Sequence, residues 1–358
     1  MAEIIQSSLY QEDIKSVLKL NCDWQKLKNK TLLITGASGL IGKVLVDMLD
    51  MLNSRFMLNM KLLLLFRNAD ETKNTDFIKY VKHDVSIPFS SDERIDYIIH
   101  AASNTHPLLY ASQPIETISA NVLGTYNLLS LAAKNKGCRF VFLSSVEIYG
   151  KGTKRFSEND CGYIDCNSLR AGYNESKRLG ESLCQAFLAQ KGVDFVTARL
   201  CRSYGPTVKS DDSKVISQFL RNALHGENII LKSEGNQLYS YIYASDASCA
   251  ILFLMLNGQT GEAYNVSDAS SDITLKDLAQ IIAEYAGTSV VFDTPSAQEK
   301  AGFSKADTAV LNSDKITHLG WKAFVDIQNG VKRCIRIMDS MMQQDRSCTV
   351  TNRSINYT

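Results

Sequence analysis

Only five of the 358 residues are proline, two are tryptophan and five are histidine, and neither sign of charge prevails. Scarce proline, with hydrophobic residues at 45% and spread along the chain, excludes extended disorder. The 39 basic and 38 acidic residues leave a formal net charge of +1, which gives no bulk attraction to nucleic acid or an anionic membrane. Long apolar runs are also missing. The densest, Leu62 to Phe66, is strand-length, where a membrane helix needs about 20 residues. No basic-then-apolar leader opens the chain, and Glu3, Glu12 and Asp13 argue against a transit peptide, so a cytoplasmic protein without a membrane partner is expected. Nine cysteines show no framework spacing, and Cys161 and Cys166 have no matching pair, so reduced thiols are expected rather than disulfides or zinc. His106, His225 and His318 lack a partner at ligand spacing, so no metal is expected. The basic loop of Lys151, Lys154 and Arg155 has no aromatic interleaving, and no nucleic acid is expected as partner.

What is present is an alternation of strands and helices. Thr31–Thr35 reads as a buried strand, followed by a glycine-rich turn and an apolar helix from Leu40 to Leu52. Further strands are expected at Leu62–Phe66, Ile95–Ala101, Phe140–Ser144 and Asp194–Leu200. Helical spacing recurs through Ile115, Ile118, Val122, Tyr126 and Leu129, and again from Tyr173 to Gln190. This alternation predicts an α/β fold with a parallel sheet covered on both faces, spanning 31–204. Residues 1–30, with Ile14, Val17, Leu18 and Trp24, form a helical extension packed on that body. Beyond Gly205-Pro206 the pattern loosens into a smaller mixed α/β lobe over 205–240 and 261–342, with 241–260 returning to the main domain. Helices are expected at 214–226 and 274–286, short strands at Ile229–Leu231 and Tyr239–Tyr243, and a frayed polar tail over 343–358.

The glycine triplet Gly36, Gly39 and Gly42 follows the first strand and opens its helix. Gly36 permits the tight turn, Gly39 lets backbone approach a pyrophosphate, and Gly42 allows close helix packing. The helix N-terminus then offers free N–H groups to phosphate, so a dinucleotide site is expected. Where an acid for the ribose of NAD would end the second strand, the chain has Phe66-Arg67-Asn68; Arg67 can pair a 2′-phosphate, which favours NADP modestly over NAD. Asp84 and Val85 lie where a loop meets the adenine.

Tyr173 and Lys177 are four apart, so on a helix they share a face, and a nearby ammonium would lower the phenol's pKa toward use as a base. About thirty residues upstream a buried strand ends in Ser144-Ser145, whose hydroxyl can bridge a substrate oxygen to Tyr173.

Taken in order, the glycine triplet, Ile99-His100-Ala101-Ala102, Asn121-Val122-Leu123-Gly124-Thr125, Ser144-Ser145 to Tyr149-Gly150, Tyr173 to Lys177 and Tyr204-Gly205-Pro206 resemble the extended short-chain dehydrogenase/reductases. Within these the chain is similar to the nucleotide-sugar epimerase/dehydratase group over about residues 31–340. The resemblance implies a Rossmann-type doubly wound sheet, bound NADP or NAD, and a lobe that holds a nucleoside diphosphate sugar. It implies that Tyr173 is the base, Lys177 its cofactor-binding partner and Ser145 the substrate-orienting hydroxyl. Cofactor contacts are implied for Ser38, Leu40 and Ile41 in the glycine turn and for Ala101, Ala102 and Ser103 after the next strand. The two long helices are implied to pair across a twofold axis in a homodimer through positions such as Leu179, Leu183 and Phe187.

The group oxidises the sugar at C4, and Glu147 bears on the fate of the resulting ketone. A glutamate two places after the catalytic serine resembles sugar 4,6-dehydratases and UDP-glucuronate decarboxylases, and simple 4-epimerases generally lack it. Dehydration is the first expectation, with decarboxylation or epimerisation as alternatives, and a keto-sugar reductase or a non-catalytic NAD(P) sensor behind them. Three departures matter. Val146 replaces an aspartate that many dehydratases use as acid. Tyr239 stands where most relatives place a phosphate-binding arginine, on which the decarboxylases also depend. Arg202 replaces a usual asparagine, and is expected to supply to the diphosphate the guanidinium that Tyr239 lacks.

Overall fold

The computed structural model describes residues 4–67, 73–105, 107–152, 155–296 and 307–354. Asn68, His106 and Lys154, named in the sequence reading, lie outside the described residues, as does the end of the expected tail over 355–358.

Strands β1 (Thr31–Thr35), β2 (Lys61–Phe66), β3 (Ile78–Lys82), β4 (Tyr97–His100) and β5 (Arg139–Ser145) belong to one sheet. The short β6 (Arg155–Phe156) leaves it, β7 (Asp194–Leu200) rejoins it, and β8 (Arg202–Tyr204), β9 (Ile229–Leu231) and β10 (Leu238–Tyr243) lie outside. With β11 (Ala263–Val266) the main sheet has seven parallel strands in the order β3-β2-β1-β4-β5-β7-β11. This is a doubly wound order that reverses between β1 and β4, where a crevice opens at the strands' carboxyl ends. The central strands are buried on both faces: Leu32, Leu33, Ile34, Ile98, Ile99, Phe140, Val141 and Phe142 are fully enclosed, as continuous apolar runs require.

Two of these strands were not foreseen. β3 reads Ile78-Lys79-Tyr80-Val81-Lys82 at the sheet edge, so two of its five side chains are charged and no apolar run announces it. β11 has only four residues, including the buried Asn265.

Helices α1 (Ser8–Lys15), α2 (Leu40–Phe56), α3 (Pro107–Ser112), α4 (Pro114–Lys134), α5 (Ala171–Lys191), α6 (Val215–Leu224), α7 (Ala244–Asn257) and α8 (Leu275–Ala286) follow in chain order. A second, mixed sheet joins β10 to β8, to β12 (Asp272–Thr274) and to β14 (Thr308–Leu311), which pairs with β6, while β13 (Val290–Phe292) pairs with β9 alone. The last helix, Ile327–Ser354, continues through the stretch expected to fray after Met342.

The N-terminal segment packs through Ile14, Val17 and Trp24, all buried. Asp13 ties it down: its carboxylate accepts from Tyr243 Oη at 2.6 Å and from Arg333 Nε at 2.7 Å, joining α1, β10 and the last helix.

Candidate active site

The glycine turn fits a dinucleotide by its shape. Gly36 has φ +71° and lies so close to the Ala101–Ala102 backbone that a Cβ would come within 2.6 Å of it. A Cβ on Gly42 would lie 2.7 Å from Ala37 Cα, so only glycine lets α2 start where it does. Helix α2 begins at Gly39 without a side-chain cap, leaving its first-turn N–H groups for an anion. Ser38 is exposed at the turn, Leu40 and Ile41 form the helix's first residues, and Ala101, Ala102 and Ser103 leave β4 alongside them.

At the edge of this crevice Arg67 is exposed just after β2. Asp84 is held below the usual carboxylate range, first by the Ser86 N–H and hydroxyl, with Arg67 adding a smaller pull. The Ser86 contacts measure 2.9 and 2.7 Å, so the carboxylate shapes its own turn as well as facing Arg67. Val85 is buried against Gly124.

The other end of the crevice is built by side chains. Strand β5 ends at Ser145, whose Oγ accepts from Glu147 N at 3.2 Å and caps a short 3₁₀ turn, Val146–Tyr149. Val146, Ile148 and Tyr149 are buried in that turn, which leaves Glu147 as its one acidic side chain at the crevice. Helix α5 grips it. Arg170 Nη2 donates to Glu147 Oε1 at 3.1 Å, and Asn174 Nδ2 donates to the Glu147 carbonyl at 2.8 Å and to Oε2 at 3.4 Å. Arg202 Nη2 lies 3.6 Å from the same Oε1, its guanidinium 3.5 Å from the centroid of the Tyr239 ring. Burial alone would raise the Glu147 pKa, but Arg170 and Arg202 outweigh it and hold the carboxyl below its ordinary value. Glu147 is therefore an anion at neutral pH.

Tyr173 is buried beside it. Its ring stacks on Tyr110 at 4.5 Å between centroids, and the Ser145 and Tyr110 hydroxyls reach its phenol. Burial raises the phenol above its usual pKa, Glu147 adds to this, and the bonds from Ser145 and Tyr110 and the charge of Arg170 only partly oppose it. The expected lowering by Lys177 is not what the structure shows. Lys177 Nζ instead donates to the Leu143 carbonyl at 2.8 Å and lies 5.1 Å over the Phe142 ring. Burial drops its own pKa to about 8. The cation acting on Tyr173 is Arg170, one helical turn before it.

The structure thus brings Ser145, Glu147, Tyr173, Arg202 and Tyr239 to one place, while Lys177 turns to the Leu143 carbonyl and the Phe142 ring. Sequence reasoning missed Arg170, Asn174 and Tyr110. A signal existed for two of them: Arg170 and Asn174 are four apart around Tyr173, so they share a helical face. Tyr110 carried none.

A sequence model of the NAD dependent epimerase/dehydratase family matches residues 32–267. The UDP-glucuronic acid decarboxylase 6 of Arabidopsis thaliana is 31% identical over 319 residues, covering 85% of this chain and 87% of that one. Two solved structures share the fold. The UDP-glucose 4-epimerase of Thermotoga maritima superposes with a TM-score of 0.74 at 20% identity, over 87% of this chain and 99% of that one. A dTDP-glucose 4,6-dehydratase of Streptomyces venezuelae, solved with NAD, gives 0.72 at 22% identity, over 86% and 96%.

Proposed function

Since the chain belongs to the NAD dependent epimerase/dehydratase family, we propose that it is an NAD(P)-dependent enzyme that oxidises a nucleoside diphosphate sugar at C4 and then removes C6 as carbon dioxide. The observation that carries this reading is the state of Glu147. A carboxylate held as an anion by Arg170 and Arg202 is a poor acceptor for a proton on carbon, and loss of carbon dioxide from a 4-keto uronate needs no such acceptor. The similarity to a decarboxylase over most of both chains supports it.

The glycine turn, with Gly36, Gly39 and Gly42, would hold the pyrophosphate, and Lys177, one helical turn after Tyr173 on α5, would hold the nicotinamide half. The chemistry that bound NAD or NADP supplies is reversible acceptance of the C4 hydride, so the overall reaction needs no external oxidant. Arg67, exposed next to Asp84, favours a 2′-phosphate and hence NADP. Tyr173 removes the proton of the C4 hydroxyl while Ser145 orients that oxygen. Because burial keeps the phenol protonated, its ionisation depends on positive charge, and Arg170 is the charge this chain brings to it. With C4 a ketone, the C5–C6 bond breaks, carbon dioxide leaves, and the electron pair passes to C5 as the C4 enolate. C5 then takes one proton, and Tyr173 returns the proton to the C4 oxygen as C4 regains its hydride.

Dehydration across C4–C6 is the second reading, and Tyr239 in the place of an arginine favours it. It requires Glu147 to take the C5 proton, which its two guanidinium partners oppose. The two are separated by incubating the purified protein with UDP-glucuronate carrying ¹³C at C6. Labelled bicarbonate supports decarboxylation. No bicarbonate, with loss of water from UDP-glucose or a related hexose, supports dehydration.

The assembly we propose is a cytoplasmic homodimer. No helix among the described residues is long and apolar enough to cross a membrane. Leu183 and Phe187, expected at an interface, pack partly on the chain's own core, whereas Ile115, Ile118, Leu123 and Tyr126 on α4 and Leu179 on α5 are exposed. An exposed apolar face on two packed helices suits a second copy of itself. Leu179→Glu should shift sedimentation from dimer to monomer; a wild type that sediments as a monomer would refute the pairing.

A further inference from the structure

We infer that Arg202, laid flat on the Tyr239 ring, is the receptor for a carboxylate at C6 of the sugar, so that the substrate is a nucleoside diphosphate hexuronate. The inference rests on the decarboxylation reading and identifies the residue that makes the site selective for an acid.

The site carries two guanidinium groups, Arg170 and Arg202, against one carboxylate, Glu147. Arg170 is the one that hydrogen-bonds it, at 3.1 Å, and Arg202 stands off at 3.6 Å. Arg202 Nη1 is buried and has no hydrogen-bond partner among the described residues. Tyr239, itself only 6% exposed, covers one face of the guanidinium, and so leaves the donor-bearing edge as the part that can meet a ligand. A buried donor without an acceptor is costly, and because the donor belongs to a guanidinium an anion is its matching acceptor. A carboxylate meets both needs through paired N–H···O bonds, whereas a neutral hydroxymethyl group would leave the charge unmatched.

The two strands explain how the guanidinium comes to be here. β8 and β10 are parallel neighbours, with Arg202 in register with Tyr241, two residues from Tyr239. The side chains of Arg202 and Tyr239 therefore meet across two neighbouring strands, and the tyrosine ring becomes the arginine's platform. Glu147 sits against this edge, on the turn after Ser145. This places Arg202 at the reacting end of the sugar, away from the diphosphate contact its sequence position alone suggested.

The test is calorimetric binding of UDP-glucuronate, UDP-glucose and UDP to the cofactor-loaded wild type and to Arg202→Gln, with carbon dioxide release scored separately. The wild type should prefer UDP-glucuronate to UDP-glucose. The variant should lose roughly ten- to hundredfold in UDP-glucuronate affinity, with UDP-glucose and UDP changed by less than about threefold. Equal weakening of all three ligands would move Arg202 to the diphosphate, and an unchanged preference would make it structural. Either result overturns the inference while carbon dioxide release by the wild type preserves the decarboxylation reading. No release from any uronate would remove both.

Discussion

The two ends of the crevice are made differently. At the end proposed for the cofactor the groups on offer are backbone, in one short turn that only glycine permits at Gly36 and Gly42. At the end proposed for the sugar they are side chains on separate elements: Ser145 and Glu147 at and after the end of β5, Arg170 at the N-cap of α5 and Tyr173 within it, Arg202 on β8 and Tyr239 on β10. Backbone sites allow little variation, because a single Cβ destroys them. Side-chain sites draw on several elements, so one residue can be exchanged while the others stay in place. The comparison predicts that changes at the sugar end alter turnover and selectivity with cofactor retained, and that changes at the glycine turn do the reverse.

The largest effect should come from Tyr173→Phe. Removing the group that takes the C4 proton should lower kcat by roughly 10³-fold or more, with cofactor still bound in fluorescence titration. Retained turnover would place the base elsewhere. Arg170→Met should cost about 10²-fold in kcat, and it makes a further prediction on pH. Arg170 is the charge that opposes burial at Tyr173, so its loss raises the phenol's pKa further. The acid limb of the pH–rate profile should then move to higher pH; an unmoved limb would mean that Arg170 does not act on the phenol. At the other end, Gly42→Ala should weaken cofactor binding by about tenfold or more while circular dichroism stays native, because its Cβ would meet Ala37 and Gly36.

A last effect concerns stability rather than turnover or binding. Burial lowers the Lys177 pKa to about 8, so above that pH the folded protein holds the neutral amine while the unfolded chain still binds a proton. Stability from this group must rise with pH from about 8 to the ordinary lysine value near 10.4, by up to about 3 kcal/mol. Lys177→Met should abolish that rise in denaturant titrations of the cofactor-free protein. A variant with the same pH dependence would show that Lys177 is not the buried titrating group.

Legibility in the sequence followed the same division. The parallel core could be read because β1, β2, β4 and β5 are built on continuous apolar runs, and the glycine turn because its spacing is local. Edge strand β3 could not, since Lys79 and Lys82 interrupt its apolar residues. Tyr173, Ser145 and Glu147 were legible as types at spacings, but the electrostatic relations among them were not. Lys177 was expected to tune Tyr173 and turns to the Leu143 carbonyl instead; Arg170, which does act on the phenol, drew no notice. Arg202 and Tyr239 were visible as departures, and only the stacking at 3.5 Å joins them into one feature. Contacts between β8, β10 and the turn after β5 are long-range, so no sequence window contains them.

The account's central claim is that C4 oxidation is followed by loss of C6 from an acidic sugar. Its most direct test is mass spectrometry of the product formed from UDP-glucuronate by the purified protein in heavy water. The account predicts loss of carbon dioxide with one solvent deuterium retained at C5. A product that keeps all its carbons and has lost water, or has only exchanged hydrogen for deuterium, would contradict it.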